Sequence, residues 1–500
     1  MTSTAVPREH RRRRALRLLV IGLLAGAPLG CASSGAGGGG QAPGEAEANP
    51  RAARPPRVEA DDGHVLVVLR STLDRPTSQI VERLALRFRL TPRAAWPMKS
   101  LERECVVFDV LGGRVDDSLL RRIEGDPAVE IAQLNSTFEV RAQPGQPAQL
   151  ALRVQPAQPA QPASDPHSDL QYSRRVLNLD AAHRRATGRG VRVAIVDTGA
   201  DFDHPELRGQ VAEAKTFVGG NDGFTSDRHG TAIAGVIGAA RGNGVGIVGV
   251  APGSRLHLLK ACWYPRRRAA RSAPDGDEAR AVCSSYTLAL ALDHAVDSRY
   301  DVVNLSLGGP QDPLLERIVA AGIERDMVFV APAAERPDDG FLEGLPEVLR
   351  VAALDGEGTP APTVAPGVAA PEGSRVLGAP GVEVLTTVPG GGFDFIGGSS
   401  IASAHVAGVV ALLLEPGAKR PAAGGSRARG VGDLLLSTSQ PASAGAPAAV
   451  DACSALAAAL GAREPGAAAD RENDCGPAEA SGARRPTSPS QRPDSDRPLP

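Results

Sequence analysis

Much of the chain alternates between short, nearly continuous apolar runs and longer stretches with an apolar residue at every third or fourth position. VRVAIVD (191–197), RLHLLKA (255–261), DVVNLSL (301–307), MVFVAPA (327–333) and VLRVAAL (348–354) are runs of the first kind. They predict strands buried on both faces. Helical spacing falls between them at 230–240, 286–296 and 313–323, and a last helix is expected at about 400–414. Alternation of this kind predicts an open parallel α/β sheet covered by helices. An earlier segment has a different order. HVLVVL (64–69) reads as a strand, TSQIVERLALRF (77–88) as a helix with Thr77 at its N-cap, and residues 91–96 as a short strand. CVVFDV (105–110) reads as a strand, VDDSLLRRIEG (115–125) as a helix and 129–134 as a closing strand. The order βαββαβ predicts a small ferredoxin-like α+β unit.

Composition divides the remainder. The 500 residues include 57 Gly and 42 Pro, and these concentrate in segments that read as tether, linker and tail. The expected layout is a signal segment at 1–31, a tether at 32–57, the βαββαβ unit at 58–141, a Pro-rich linker at 142–167, the α/β domain at 168–462 and a disordered tail at 463–500. Arg8, Arg11 to Arg14 and Arg17 precede a short apolar stretch from Leu18 to Gly30, as in an export signal. The stretch ends APLGC, which resembles a bacterial lipoprotein signal with Cys31 as the lipidated residue, although Pro28 stands where such signals usually carry Leu. Plain secretion and a retained signal anchor stay open beside the lipid-anchored envelope protein. A net charge of −2 gives no field for nucleic acid, and a monomer is expected. Export permits disulfides. Cys262 and Cys283 flank an Arg-rich insertion and are expected to pair, while Cys453 with Cys475 has less support because Cys475 lies in the tail. Cys105 reads as a buried free thiol.

Three segments carry chemistry. VAIVDTGAD delivers Asp197 at the C-terminal end of a buried strand, where parallel sheets place their sites. SDRHGTAIAGVIGA puts His229 at a helix start, and GGSSIASAHVAGVVALLL puts Ser400 at the N-terminus of an apolar helix, whose dipole favours a developing anion. Acid, base and hydroxyl at one sheet edge suggest nucleophilic catalysis. In this order and these contexts the segments resemble the subtilisin-like serine peptidases, the subtilases, over roughly 170–460. The resemblance implies that Asp197 orients, His229 acts as general base and Ser400 attacks. It implies that Ser306, Leu307, Gly308 and Gly309 of NLSLGG bind a polypeptide substrate by strand addition. It also implies that 58–141 is a prodomain that assists folding and inhibits intramolecularly, with DPAVEIAQLNSTFEV (126–140) as its end. No cofactor is required. Structural calcium is common in the family, but no carboxylate cluster marks a site.

One departure bears on activity. The run VFVAPAAERP (328–337) resembles the strand after which the family places an oxyanion-hole Asn, and here Glu335 takes that position. An ionised carboxylate donates no hydrogen bond and repels an oxyanion. Loss of one such donor costs about 10²–10³ in turnover. Two function classes therefore stay open: an active endopeptidase, with protonated Glu335, Arg336 or the backbone of Ser400 as donor, and an inactive pseudopeptidase that binds peptides. His204 is a rival base, but it sits in a loop that resembles a structural feature of the family. His405 is expected to be a packed core histidine, Asn304 a structural strand residue, and Asp338 and Asp339 solvated turn residues.

Overall fold

A computed structural model of the chain describes residues 63–70, 76–112, 115–140, 152–153, 165–219, 223–265, 280–336, 339–361, 375–415, 426–443, 445–461 and 475. The expected signal segment, the tether, the QPAQPAQPA spacer and, apart from Cys475, the tail lie outside the described residues.

The first unit has the expected order: β1 (His64–Leu69), α1 (Thr77–Phe88), β2 (Leu90–Met98), β3 (Arg103–Val110), α2 (Asp117–Glu124) and β4 (Val129–Leu134). Its sheet runs β2-β3-β1-β4, with every pair antiparallel. Thr77 is the first helical residue and Pro76 the cap, so the expected Thr77 cap lies one residue late. Successive strand residues point to opposite faces. Val65, Val67, Val106 and Phe108 accordingly pack with Ile80, Leu84, Leu119 and Ile123 of α1 and α2. Leu66, Val68, Cys105, Val107 and Ile131 face the other way, into the core of the larger domain.

Short elements and the large sheet follow: β5 (Thr137–Val140), β6 (Leu152–Arg153), α3 (Tyr172–Val176), α4 (Leu179–His183), β7 (Arg192–Asp197), β8 (Val211–Thr216), α5 (Arg228–Gly238), β9 (Arg255–Lys260), β10 (Cys262–Trp263) and β11 (Val282–Ser284). The chain continues with α6 (Ser285–Ser298), β12 (Val302–Leu305), β13 (Leu307–Gly308), α7 (Pro313–Glu324), β14 (Val328–Pro332), β15 (Leu349–Leu354), β16 (Val376–Pro380), β17 (Val384–Val388), β18 (Gly392–Ile396), α8 (Ser399–Leu414), α9 (Arg427–Thr438) and α10 (Ala452–Gly461). Seven strands form a parallel sheet in the order β16-β15-β14-β12-β7-β9-β8.

The five apolar runs became its five inner strands. Both edge strands escaped the pattern. β8 exposes part of its length, and VLGAP of β16 carries Gly and Pro. The helix beginning near Ser400 is not the last, since α9 and α10 follow it. The local cues there are weak, because α9 opens RARGVG. α8 is buried on nearly every side and lies against β12, β14, β15 and β16, which explains why its sequence shows no polar face. Caps fix the neighbouring helices: Asp312 Oδ1 accepts from the Leu315 N–H at 3.0 Å ahead of Pro313, and Ser284 with Thr287 forms a capping box on α6.

Cys262 and Cys283 are cross-strand partners in β10 and β11 and are disulfide-bonded. Cys453 is bonded to Cys475, and Cys105 is a buried free thiol. Among the described residues no helix is long and apolar enough to cross a membrane.

Candidate active site

Asp197 is the last residue of the inner strand β7, and its side chain is fully buried. His229 is the second residue of α5 and Ser400 the second of α8. The two helix starts converge because α5 seats closely on the end of β7. A Cβ on Gly230 would lie 2.3 Å from the Gly199 carbonyl oxygen, so only glycine fits behind the histidine.

His229 bridges the other two. Its Nδ1 lies 2.8 Å from Asp197 Oδ1, and its Nε2 lies 3.0 Å from Ser400 Oγ. A carboxylate accepts only, so Nδ1 carries the proton and Nε2 presents a lone pair to the serine hydroxyl. Asp197 Oδ1 also accepts from the Thr198 N–H at 2.6 Å, which fixes the carboxylate plane. Asp227 caps this corner, accepting from the Gly199 N–H at 2.7 Å and pairing with buried Lys260. Burial pushes the Asp227 carboxyl above the usual range, against the opposing pull of Lys260.

Glu335 faces the same helix start. Its Oε1 accepts from the hydroxyl of Ser399, the residue before the nucleophile position. The turn that presents it is held by Asp339, whose Oδ2 accepts from the N–H groups of Glu335 and Arg336 at 3.1 Å each. Asp339 is therefore a buried turn organiser, not the solvated residue expected; the two backbone donors compensate its desolvation. Asp338 lies outside the described residues.

A cleft runs away from the serine. β5 lies between β11 and β13 and is antiparallel to both, with Val140 opposite Leu307, Glu139 opposite Gly308 and Val282, and Phe138 opposite Cys283. Strand β13 leads back to Ser306, whose hydroxyl accepts from Asn304 Nδ2 at 2.7 Å and donates to the Ser400 carbonyl at 3.4 Å. Phe138 fills a pocket beside Gly309 and meets the Phe341 ring edge to face at 5.2 Å. A Cβ on Gly309 would lie 2.6 Å from that phenyl ring, so glycine there opens the pocket. Glu139 points to the rim, where Arg336 Nη1 donates to its Oε2 at 3.3 Å and Arg280 Nη1 lies at 3.6 Å.

Asp197, His229 and Ser400 are thus brought together, with Glu335 beside them and Ser306 to Gly309 along the cleft. Cys31 lies outside the described residues. His204 is engaged elsewhere: Nε2 donates to the Gly392 carbonyl at 3.0 Å, Nδ1 accepts from the Glu206 N–H at 3.1 Å, and burial lowers its basicity. His405 is buried and donates to the Ile401 carbonyl at 3.0 Å. Asn304 is committed to Ser306 through its amide NH₂ and supplies no donor to the serine. Among the described residues no group of three or more His, Cys, Asp or Glu is placed to hold a metal. Sequence reasoning did not find Arg280, Arg336 as a partner of Glu139, or β11 as a cleft wall. The alternation in TFEV was the one signal available.

A serine, histidine and aspartate bridged in this order, at the C-terminal edge of a parallel sheet, define the subtilisin-like class of α/β protein. Residues 188–452 match the sequence profile of Peptidase S8, the subtilase family, and the chain belongs to that family. It is 30% identical over 253 residues to an intracellular serine protease of Paenibacillus polymyxa, covering 48% of this chain and 71% of that one. It is 33% identical over 264 residues to fervidolysin of Fervidobacterium pennivorans, covering 47% of this chain and 36% of the relative, and 30% identical over 238 residues to subtilisin E of Bacillus subtilis, covering 46% and 56%. The chain thus spans about a third of fervidolysin and about half of subtilisin E. The crystal structure of fervidolysin, described as a keratinolytic enzyme related to subtilisin, superposes with a TM-score of 0.59 at 23% identity over 79% of this chain and 60% of that one.

Proposed function

We propose that the chain is an exported serine endopeptidase. The carrying observation is His229, bonded on one side to Asp197 and on the other to Ser400 Oγ. Ser400 Oγ attacks the scissile carbonyl carbon while its proton passes to His229 Nε2, and Asp197 stabilises the resulting imidazolium. Collapse of the tetrahedral intermediate breaks the C–N bond, and the amine leaves with the His229 proton. Water then attacks the acyl-enzyme by the same route and releases the acid. The N–H groups at the start of α8 face the developing oxyanion. Residues 58–141 act as a prodomain whose last strand occupies the cleft. Export as a lipoprotein through Cys31, and activity without a metal, belong to the same reading.

Labelling by a fluorophosphonate probe tests it. Once cleavage has released the strand in the cleft, the chain is expected to be labelled and Ser400→Ala is not; absence of labelling in folded protein freed of residues 58–141 would favour the pseudopeptidase. That second reading has an observation of its own, the Glu335 carboxylate bonded at the start of α8. In the enzyme reading Glu335 slows a complete site, so Glu335→Asn should raise turnover by about 10²-fold. No gain would mean that the oxyanion is held elsewhere.

A further inference from the structure

Strand β5 lies in the cleft as a peptide would, and it shows which side chain each subsite meets. Phe138 and Val140 point inward and are buried. Glu139, on the opposite face of the strand, is two-sided in a different way. Strand register places it across from Gly308 on one side and Val282 on the other. Its carboxylate meets cations from both walls: Arg336, from the turn after β14, at 3.3 Å, and Arg280, just before β11, at 3.6 Å. Arg336 is also held toward Asp339 at 3.6 Å, so its guanidinium is positioned from within its own turn. Neither arginine belongs to the unit that contains Glu139, and both line the rim of the open cleft once β5 departs.

We infer that Arg280 and Arg336 form an acid-selecting subsite for the substrate residue that pairs with Gly308. That residue lies two positions before the one facing Ser306 and the nucleophile. The inference rests on the peptidase reading for its substrates, but the recognition itself is a property of the cleft. All three side chains keep substantial contact with water, the acid 34% and the arginines 39% and 67% exposed. Screening limits each pair to at most about fivefold. Two pairs together discriminate Glu from Gln by about three- to tenfold, and Glu from Arg by more, because like charges then oppose.

Two measurements on the full chain test this. In a Ser400→Ala background, which prevents self-cleavage, amide hydrogen exchange at residues 137–140 is compared among variants. Glu139→Arg should speed exchange about tenfold, and adding Arg280→Glu and Arg336→Glu should largely restore protection. Equal protection in Glu139→Arg, or no restoration by the swap, would overturn the subsite. Arg280→Glu alone is the safer probe of the cation side, because Arg280 is the more exposed arginine. Separately, quenched peptides carrying residues 135–146 with Glu, Gln or Arg at the Glu139 position are offered to the chain with Ser400 intact, after cleavage has released β5 from the cleft. The expected order of kcat/KM is Glu, Gln, Arg, reversed in the double arginine variant; a flat order that is unchanged by those substitutions would overturn the subsite. If no peptide is cut and no probe labels the serine, the peptidase reading fails while the exchange result still decides the subsite.

Discussion

The seven-stranded sheet and the β2-β3-β1-β4 sheet are both covered on both faces, but by different means. The seven-stranded sheet is covered by helices of its own domain, α8 among them. The four-stranded sheet is covered on one face by α1 and α2 and on the other by the peptidase domain, through Leu66, Val68, Cys105, Val107 and Ile131. Trp96 meets Tyr286 edge to face at 5.1 Å across this junction. The first sheet therefore carries its whole core with it, whereas the second keeps a dry second face only while it is docked. A unit built this way is ordered by its partner and loses protection when it leaves.

The largest way to break the contrast is Phe138→Ala. Phe138 is fully buried beside Gly309 and Phe341, and truncating a buried Phe costs about 3–5 kcal/mol. Amide exchange should rise in β5 and with it along β1 to β4, while β7, β12 and β14 stay protected. A rise confined to β5 would show that the apolar face of the small sheet docks without help from the strand in the cleft.

The same contrast explains what the sequence made legible. Nearly continuous runs such as VRVAIVD and HVLVVL report burial on two faces, and both became strands. The run does not say what covers the second face. For the small sheet the cover is more than a hundred residues away, and only packing reveals it. Asp197, His229 and Ser400 were readable because each sits at a fixed end of a periodic element. Glu335 was readable as a missing donor, but its Ser399 partner was not. Asp339 misled because a turn rich in acids looks solvated, while here two backbone N–H groups draw one acid inside. Edge strands β8 and β16 were missed because an edge relaxes the very pattern that marks a buried strand.

Acid should separate the two regions next. His405, in the helix that covers the large sheet, is pushed down to about 4 by burial. An unfolded histidine titrates near about 6.5. Because the unfolded state binds the proton first, stability falls as pH drops from about 6.5 toward about 4, by up to about 3 kcal/mol. His405→Gln should flatten that part of the profile, read as the urea midpoint of the peptidase domain against pH. An unchanged slope would place the acid sensitivity on other buried histidines, such as His183 and His204, whose basicity burial also lowers.

The smallest effect is expected where the two regions exchange polar groups. Asn135 Oδ1, from the small unit, accepts from the Tyr286 N–H at 3.0 Å, and Gln133 Oε1 accepts from the Leu314 N–H at 3.0 Å. Each therefore satisfies a donor at the start of α6 or α7, whose own first turns have no intrahelical partner for it. Those helices also carry their internal caps, Ser284 and Asp312. Helix stability in the large domain thus does not depend on the small unit, and the borrowed acceptors serve docking. Asn135→Ala should weaken docking by about 1 kcal/mol, seen as faster exchange in β4 and faster fluorophosphonate labelling. The thermal midpoint of the peptidase domain should stay where it was. If that midpoint falls as well, α6 depends on its borrowed cap, and the large region is less self-sufficient than its sheet suggests.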